Sequence, residues 1–190
     1  MPVMSTDPVP PAEDMYAIFC GDINAANAQK LVNGLTSVSS MGIKRLHLLF
    51  QSWGGFVGDG VFLYNLFKNF PVDITLYNAG QVSSAGVLAF LGARQRKATA
   101  NAAFMIHRSS NSPSAAGADR LKVLAETMLL EDARVDVILR SCLTLPEELW
   151  TKLEYHDVTL SGQDGVKYGF ADEIAEFSPP VGVKVLNALG

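Results

Sequence analysis

Apolar and polar positions divide the chain into short, strongly patterned blocks. Residues 15–20, MYAIFC, form a brief apolar run that predicts a buried strand. Residues 24–42 then carry a helical period, with Asn24 set as an N-cap and Gly42 just past the end. RLHLLFQS (45–52) predicts a second strand. GDGVFLYNLFKNFP (58–71) predicts a helix with Val61, Tyr64, Leu66 and Phe67 among its apolar positions and Pro71 closing it. VDITLYNA (72–79) predicts a third strand, SAGVLAFLGA (84–93) a short and very apolar helix, and AAFMIH (102–107) a fourth strand. Strands alternating with helices over the first 107 residues argue for an α/β architecture with largely parallel pairing.

After His107 the pattern changes. A polar loop leads into a long helical stretch, 117–142. There Leu121, Leu124, Met128, Val135, Ile138 and Cys142 form one stripe, interrupted by Glu131, while Leu129 and Leu130 lie off it. A helix with Pro146 in its first turn follows (145–156), then a short strand (157–161), a short helix opened by Ser161, and a last strand (171–177). The acidic, proline-rich residues 1–14 read as a flexible segment ahead of one domain, 15–190.

Composition narrows the class. The 190 residues are 48% hydrophobic, enough for one sizeable core, and 18% charged, below the usual quarter, so part of the surface is expected to be covered by other subunits. A net charge of -4 without a basic cluster argues against a nucleic-acid partner. Cys20 and Cys142 are too far apart in sequence for a zinc spacing and suggest a reducing compartment. The first residues lack the charge and apolar pattern of a signal peptide, and no apolar run approaches the ~20 residues of a membrane span. The expectation is a soluble cytoplasmic protein without a membrane partner.

Candidate chemistry gathers at strand ends. Gly54 and Gly55 follow the second strand, where a tight turn and an amide aimed at an oxyanion are both available readings. Ser84 opens the apolar helix. As an N-cap it needs no further role; as a nucleophile it would stand at a strand end, with the Ala85 amide at a helix N-terminus beside it. The hydrolase elbow G-x-S-x-G fails, because Val82 occupies the first glycine position. Of three histidines, His47 lies inside a strand and His156 near a helix end, while His107 ends a strand before a polar loop. Asp119, Asp132, Asp136, Asp157, Asp164 and Asp172 could each orient a histidine, and spacing does not choose among them.

Four segments in order resemble the family of Clp protease proteolytic subunits, ClpP. QSWGG is similar to that family's N-S-P-G-G turn, GQVSSAG to its G-Q-A-A-S-M-G nucleophile segment, FMIHR to its M-I-H-Q segment, and DVTLSGQDGVKYGFAD to its D-R-F-L-S-A-x-E-A-x-E-Y-G-L-V-D stretch. The resemblance implies a crotonase-like spiral of ββα units, with the helix 117–142 as a projecting handle. It implies a serine endopeptidase with Ser84 as nucleophile, His107 as general base, Asp157 orienting the base, and the amides of Gly55 and Ala85 as the oxyanion hole. It implies no cofactor and no metal.

The implied partners are a polypeptide or peptide substrate and further copies of the chain in a ring, a heptamer or stacked rings. An AAA+ unfoldase is the least supported partner: only about a dozen residues precede Met15, where that family has a longer gating segment. His156 stands where the family has the arginine tied to ring stacking, and Trp53 replaces the turn proline. Alternative readings are a catalytically silent scaffold subunit of a ring and a crotonase-type acyl-CoA enzyme, which would not need a Ser-His-Asp set. A Ser–Lys peptidase relative lacks support without a membrane segment.

Overall fold

In chain order, the first four strands of the main sheet each feed an extended segment and then a helix, and this repetition generates the architecture. The computed structural model describes residues 13–110, 112, 113, 115 and 117–190; the first twelve residues of the expected flexible segment lie outside it. In chain order come β1 (Asp14–Cys20), α1 (Ala25–Ser40), β2 (Arg45–Gln51), α2 (Val57–Asn69), β3 (Asp73–Asn78), β4 (Gln81–Ser83), α3 (Ala85–Leu91), β5 (Gln95–Ala98), β6 (Ala103–Ile106), α4 (Ala118–Cys142), α5 (Glu147–Leu153), β7 (Val158–Ser161), α6 (Gly162–Lys167), β8 (Glu173–Ile174) and β9 (Val185–Asn187).

The main sheet has the order β8-β5-β3-β2-β1-β9 and is parallel throughout. A second sheet, β4-β6-β7, pairs β4 with β6 in parallel and β6 with β7 antiparallel. In the units β3–β4–α3 and β5–β6–α4 the first strand joins the main sheet and the second joins the small one. The earlier turns repeat this with single residues: Ser52, after β2, bridges to Val82 of β4, and Ile23, after β1, bridges to Gly55. This is the mixed α/β spiral of ββα units that the resemblance implied.

Local chemistry explains the element ends. The Asn24 side chain accepts a hydrogen bond from the Asn27 amide at 2.9 Å and starts α1, and Gly42 follows that helix. Ser161 likewise accepts from the Asp164 amide and starts α6. Residues of β2 alternate toward the core in the period-2 manner. Five phenylalanines link the two sheets through the core. Phe19 stacks on Phe50 at 4.8 Å, Phe50 meets Phe90, Phe90 meets Phe104 at 5.5 Å, and Phe104 meets Phe170 at 5.2 Å. All five are fully buried.

Several elements depart from expectation. Two short strands, β4 and β5, lie in stretches too brief and too polar to show a strand period, so AAFMIH supplies the sixth strand and not the fourth. The stretch 171–177 pairs only at Glu173 and Ile174. Beyond it the unpredicted β9 returns to pair with Tyr16–Ile18 at the sheet edge. Strand β1 begins at Asp14, inside the segment expected to be flexible, because Asp14 pairs with Arg45 in the ladder. Pro146 precedes α5 as its cap residue. The long helix buries only Ile138 and Leu139 in this chain; Leu121, Val123, Leu129, Leu130 and Val137 face outward, Leu129 at 69% exposure. At ~1.5 Å per residue this helix extends about 37 Å, and its first half projects from the body.

Candidate active site

The small sheet brings the candidate residues to one end. Strands β4 and β6 are parallel and in register, Ser83 opposite Met105, so their C-terminal ends lie side by side. Ser84 follows β4 and His107 follows β6. The Ser84 amide extends the ladder by donating to the Met105 carbonyl at 2.8 Å. His107 Nε2 lies 2.8 Å from Ser84 Oγ, within hydrogen-bond reach.

Ser84 caps α3 by position but not by hydrogen bonding, since its side chain accepts from no amide of that helix. Its backbone has φ 54° and ψ -128°; no other described non-glycine residue has positive φ. Such a conformation costs about 1–3 kcal/mol and persists only where the surroundings impose it. Here the strand-to-helix turn is sharp enough to turn the hydroxyl away from the helix and onto the imidazole. The sequence lacks the first glycine of the hydrolase elbow, and the space is found elsewhere. Gly54, with φ 103°, faces Ser84 so closely that a Cβ on it would sit 2.6 Å from the Ser84 Cβ. Gly86 backs onto Ser52 in the same way, where an added Cβ would lie 2.9 Å from the Ser52 Cβ. Ser83 is fully buried and accepts a 2.6 Å hydrogen bond from Gln81 Nε2, so it is a structural neighbour.

The glycine turn carries the second group of donors. The Ile23 amide donates to the Gly54 carbonyl and the Phe56 amide to the Ile23 carbonyl, both at 2.8 Å. This pattern leaves the intervening Gly55 amide on the opposite side, unused by the bridge. A Cβ on Gly55 would fall onto the Ile23 carbonyl. Ser52 Oγ fixes the turn by accepting from the Gly54 amide at 3.1 Å. The Ala85 amide is the first of α3, where no carbonyl of the helix itself can receive it.

Asp157 precedes β7. Ile106 faces Val158 in the antiparallel ladder, so one further step sets His107 opposite Asp157 at the same sheet end. The carboxylate is exposed and makes neither a hydrogen bond nor an ion pair with the imidazole. The other candidate aspartates separate clearly, Asp119 lying exposed in the first turn of α4. Asp172 pairs with Arg96, and Asp164 belongs to the cap of α6. Asp136 accepts from Arg108 Nη1 at 2.7 Å and Asp132 from the Ser109 amide at 2.8 Å, so both hold the segment just after His107. This pair of contacts was not read from the sequence, although an i, i+4 aspartate pair and a basic residue after the histidine were visible.

Val57, Leu88, Ile106, Val135 and Leu139 form an apolar cleft against Ser84, Ala85 and His107, with a volume of about 20 Å³, room for roughly one water. A cavity of about 150 Å³ under α1, between Met15, Leu31, Leu48 and Leu186, is apolar and lined by no candidate catalytic residue. The smaller cleft is therefore the one with chemistry beside it. His47 and His156 do not join the site. His47 contacts Tyr77 OH and Asp14, and His156 is exposed beyond α5. Arg45 and, more weakly, His47 bond to Asp14 and hold its carboxyl down at about 2. Among the described residues no His, Cys, Asp or Glu cluster could hold a metal, and no helix is long and apolar enough to cross a membrane.

A strained serine, a histidine on its hydroxyl and two unused amides nearby make an arrangement able to perform acyl transfer. Comparison with known proteins bears on which kind. A Rhizobium etli protein, "ATP-dependent Clp protease proteolytic subunit 3", is 24% identical over 156 residues, 81% of this chain and 80% of its own length. A Paracoccus denitrificans "ATP-dependent Clp protease proteolytic subunit" is 26% identical over 159 residues, 83% of this chain and 79% of its own. The solved structure of a point mutant of ClpP1 from Listeria monocytogenes superposes with a TM-score of 0.74 at 22% identity, over 87% of this chain and 92% of that one, and so shares the fold. The family model described as Clp protease matches residues 12–178, and the chain belongs to that family.

Proposed function

We propose that this chain is a serine endopeptidase that cuts unfolded polypeptides or peptides inside a chamber built from copies of itself. The observation that carries the reading is the 2.8 Å approach of His107 Nε2 to Ser84 Oγ, at a serine held in a strained turn. Ser84 Oγ attacks the peptide carbonyl carbon as His107 Nε2 takes its proton. The amides of Gly55 and Ala85 receive the developing oxyanion; loss of one such donor costs roughly 3 kcal/mol. His107 then protonates the leaving amine, and water, activated by the same imidazole, hydrolyses the acyl-enzyme. No step calls for a cofactor. The compartment is cytoplasmic, the assembly a ring, and an AAA+ unfoldase is an optional partner.

Asp157 is the member that orients the base. Its separation from His107 in the single chain favours a second reading, a subunit silent until assembly turns the carboxylate onto Nδ1. A fluorophosphonate probe tests both. Wild type and Ser83→Ala label, Ser84→Ala does not, and labelling resides in the assembled fraction of a sizing column. Equal labelling of Ser84→Ala defeats the nucleophile assignment. Labelling of monomer and ring at the same rate defeats the silent-subunit reading. Acidification slows labelling because a protonated imidazole accepts no proton; a rate constant from about pH 8 to pH 5 excludes histidine as the base.

A further inference from the structure

We propose that Asp132 and Asp136 of α4 are positioning residues for His107. The inference rests on His107 acting as the general base in the reading above. His107 directly follows β6, and the chain from it to residue 110 belongs to no helix or strand. Two contacts tie that free end down, and both come from one turn of α4. Arg108 Nη1 donates to Asp136 Oδ1 at 2.7 Å, with both side chains more than two-thirds buried. The Ser109 amide donates to Asp132 Oδ1 at 2.8 Å. Between and beyond these aspartates, Val135 and Leu139 of the same helix wall the cleft beside Ser84 and His107. One helical turn thus fixes both the backbone that carries the imidazole and the apolar wall it faces.

The alternative is that these contacts merely dock α4. Burial argues otherwise. Ile138 and Leu139 already anchor the helix in the core, and a partly exposed ion pair adds little to global stability. What the two bonds add is direction, because a displacement of about 1 Å in a reacting group can cost up to a hundredfold in rate. Asp157 makes no hydrogen bond or ion pair with the imidazole in this chain, so the clamp on 108–109 and the serine hydroxyl are the polar contacts that fix its direction. The charged groups around His107 are then Arg108 on its own segment, Asp132 and Asp136 from α4, and Asp157 from the strand opposite.

The test reads the imidazole directly as well as the reaction. The full chain contains three histidines, so His107 Cε1–H is assigned by NMR with His47→Gln and His156→Gln variants. Asp136→Ala and Asp132→Ala shift the His107 resonance, leave those of His47 and His156 in place, and slow fluorophosphonate labelling about tenfold. Asp132→Asn keeps an oxygen to accept from the Ser109 amide and stays within about twofold of wild type. Arg108→Gln breaks the pair with Asp136 from the loop side and stands in for Asp136→Ala if that variant fails to fold. A His107 signal unmoved by both Asp136→Ala and Arg108→Gln overturns the proposal, as does equal slowing by Asp132→Asn and Asp132→Ala. An unlabelled wild type whose His107 signal moves in the variants removes the peptidase reading and leaves the positioning intact.

Discussion

The strain at Ser84 makes a prediction independent of catalysis. Ser84→Ala and Ser84→Gly both delete the hydroxyl and its contact with His107, so that loss cancels in their comparison. They differ in the backbone. Alanine keeps a Cβ at φ 54°, ψ -128°, against the facing Gly54; glycine does not. Relief of this strain is worth about 1–3 kcal/mol. Against it, glycine adds unfolded-state entropy worth about 0.4–1 kcal/mol. The glycine variant is therefore the more stable of the two by about 0.5–2 kcal/mol, an increase of roughly 2–6 °C in Tm for a chain of this size. Urea and thermal unfolding at matched subunit concentration measure the gap, because association shifts apparent stability. A Ser84→Ala protein equal to or more stable than Ser84→Gly would falsify the claim that this turn is strained. Neither variant reacts with a fluorophosphonate, so the stability order and the chemistry are read on the same two proteins.

Other expectations follow from neighbouring geometry. Gly54→Ala brings a Cβ to 2.6 Å from Ser84 Cβ at φ 103° and displaces the nucleophile; labelling falls at least tenfold while the circular-dichroism spectrum stays native, and an unchanged labelling rate refutes the close-approach argument. Phe104→Ala empties a site between Phe90 and Phe170 and destabilises by about 3–5 kcal/mol in urea unfolding, whereas a loss under about 1 kcal/mol would show that the two sheets are not joined through this ring. The Asp14 carboxyl, held down to about 2 chiefly by the Arg45 hydrogen bond, contributes stability that is present above pH ~4 and lost as pH falls through ~2. Asp14→Asn flattens that part of the Tm–pH curve; an unaltered acid limb means that Asp14 is not what titrates there.

How far the chain could be read in advance differs from element to element. The caps at Asn24 and Ser161 and the alternation in RLHLLFQS are local, because a helix end or a strand face is encoded within a few residues. Strands β4, β5 and β9 escaped notice because three or four residues carry no period; they exist only because a neighbouring strand offers a ladder. The stripe on the long helix was legible. Its spacing specified an apolar face, but only the body at Ile138 and Leu139 decides which part of that face this chain covers.

The candidate residues divide along the same line. Ser84, His107, Asp157, Gly55 and Ala85 were named from short segments and their resemblance to a family, which specify residue types and order. Chain order alone left the serine an N-cap and six aspartates equivalent. Their separation required the pairing of β4 with β6 and of β6 with β7, which sets residues 84, 107 and 157 at one sheet end. Tertiary contacts alone turned the Ser84 hydroxyl off its helix and onto His107, and assigned Asp132 and Asp136 to the segment behind the imidazole. Local sequence can encode a turn, a cap or a period. A distance between side chains remote in sequence is encoded only by the packing of everything between them.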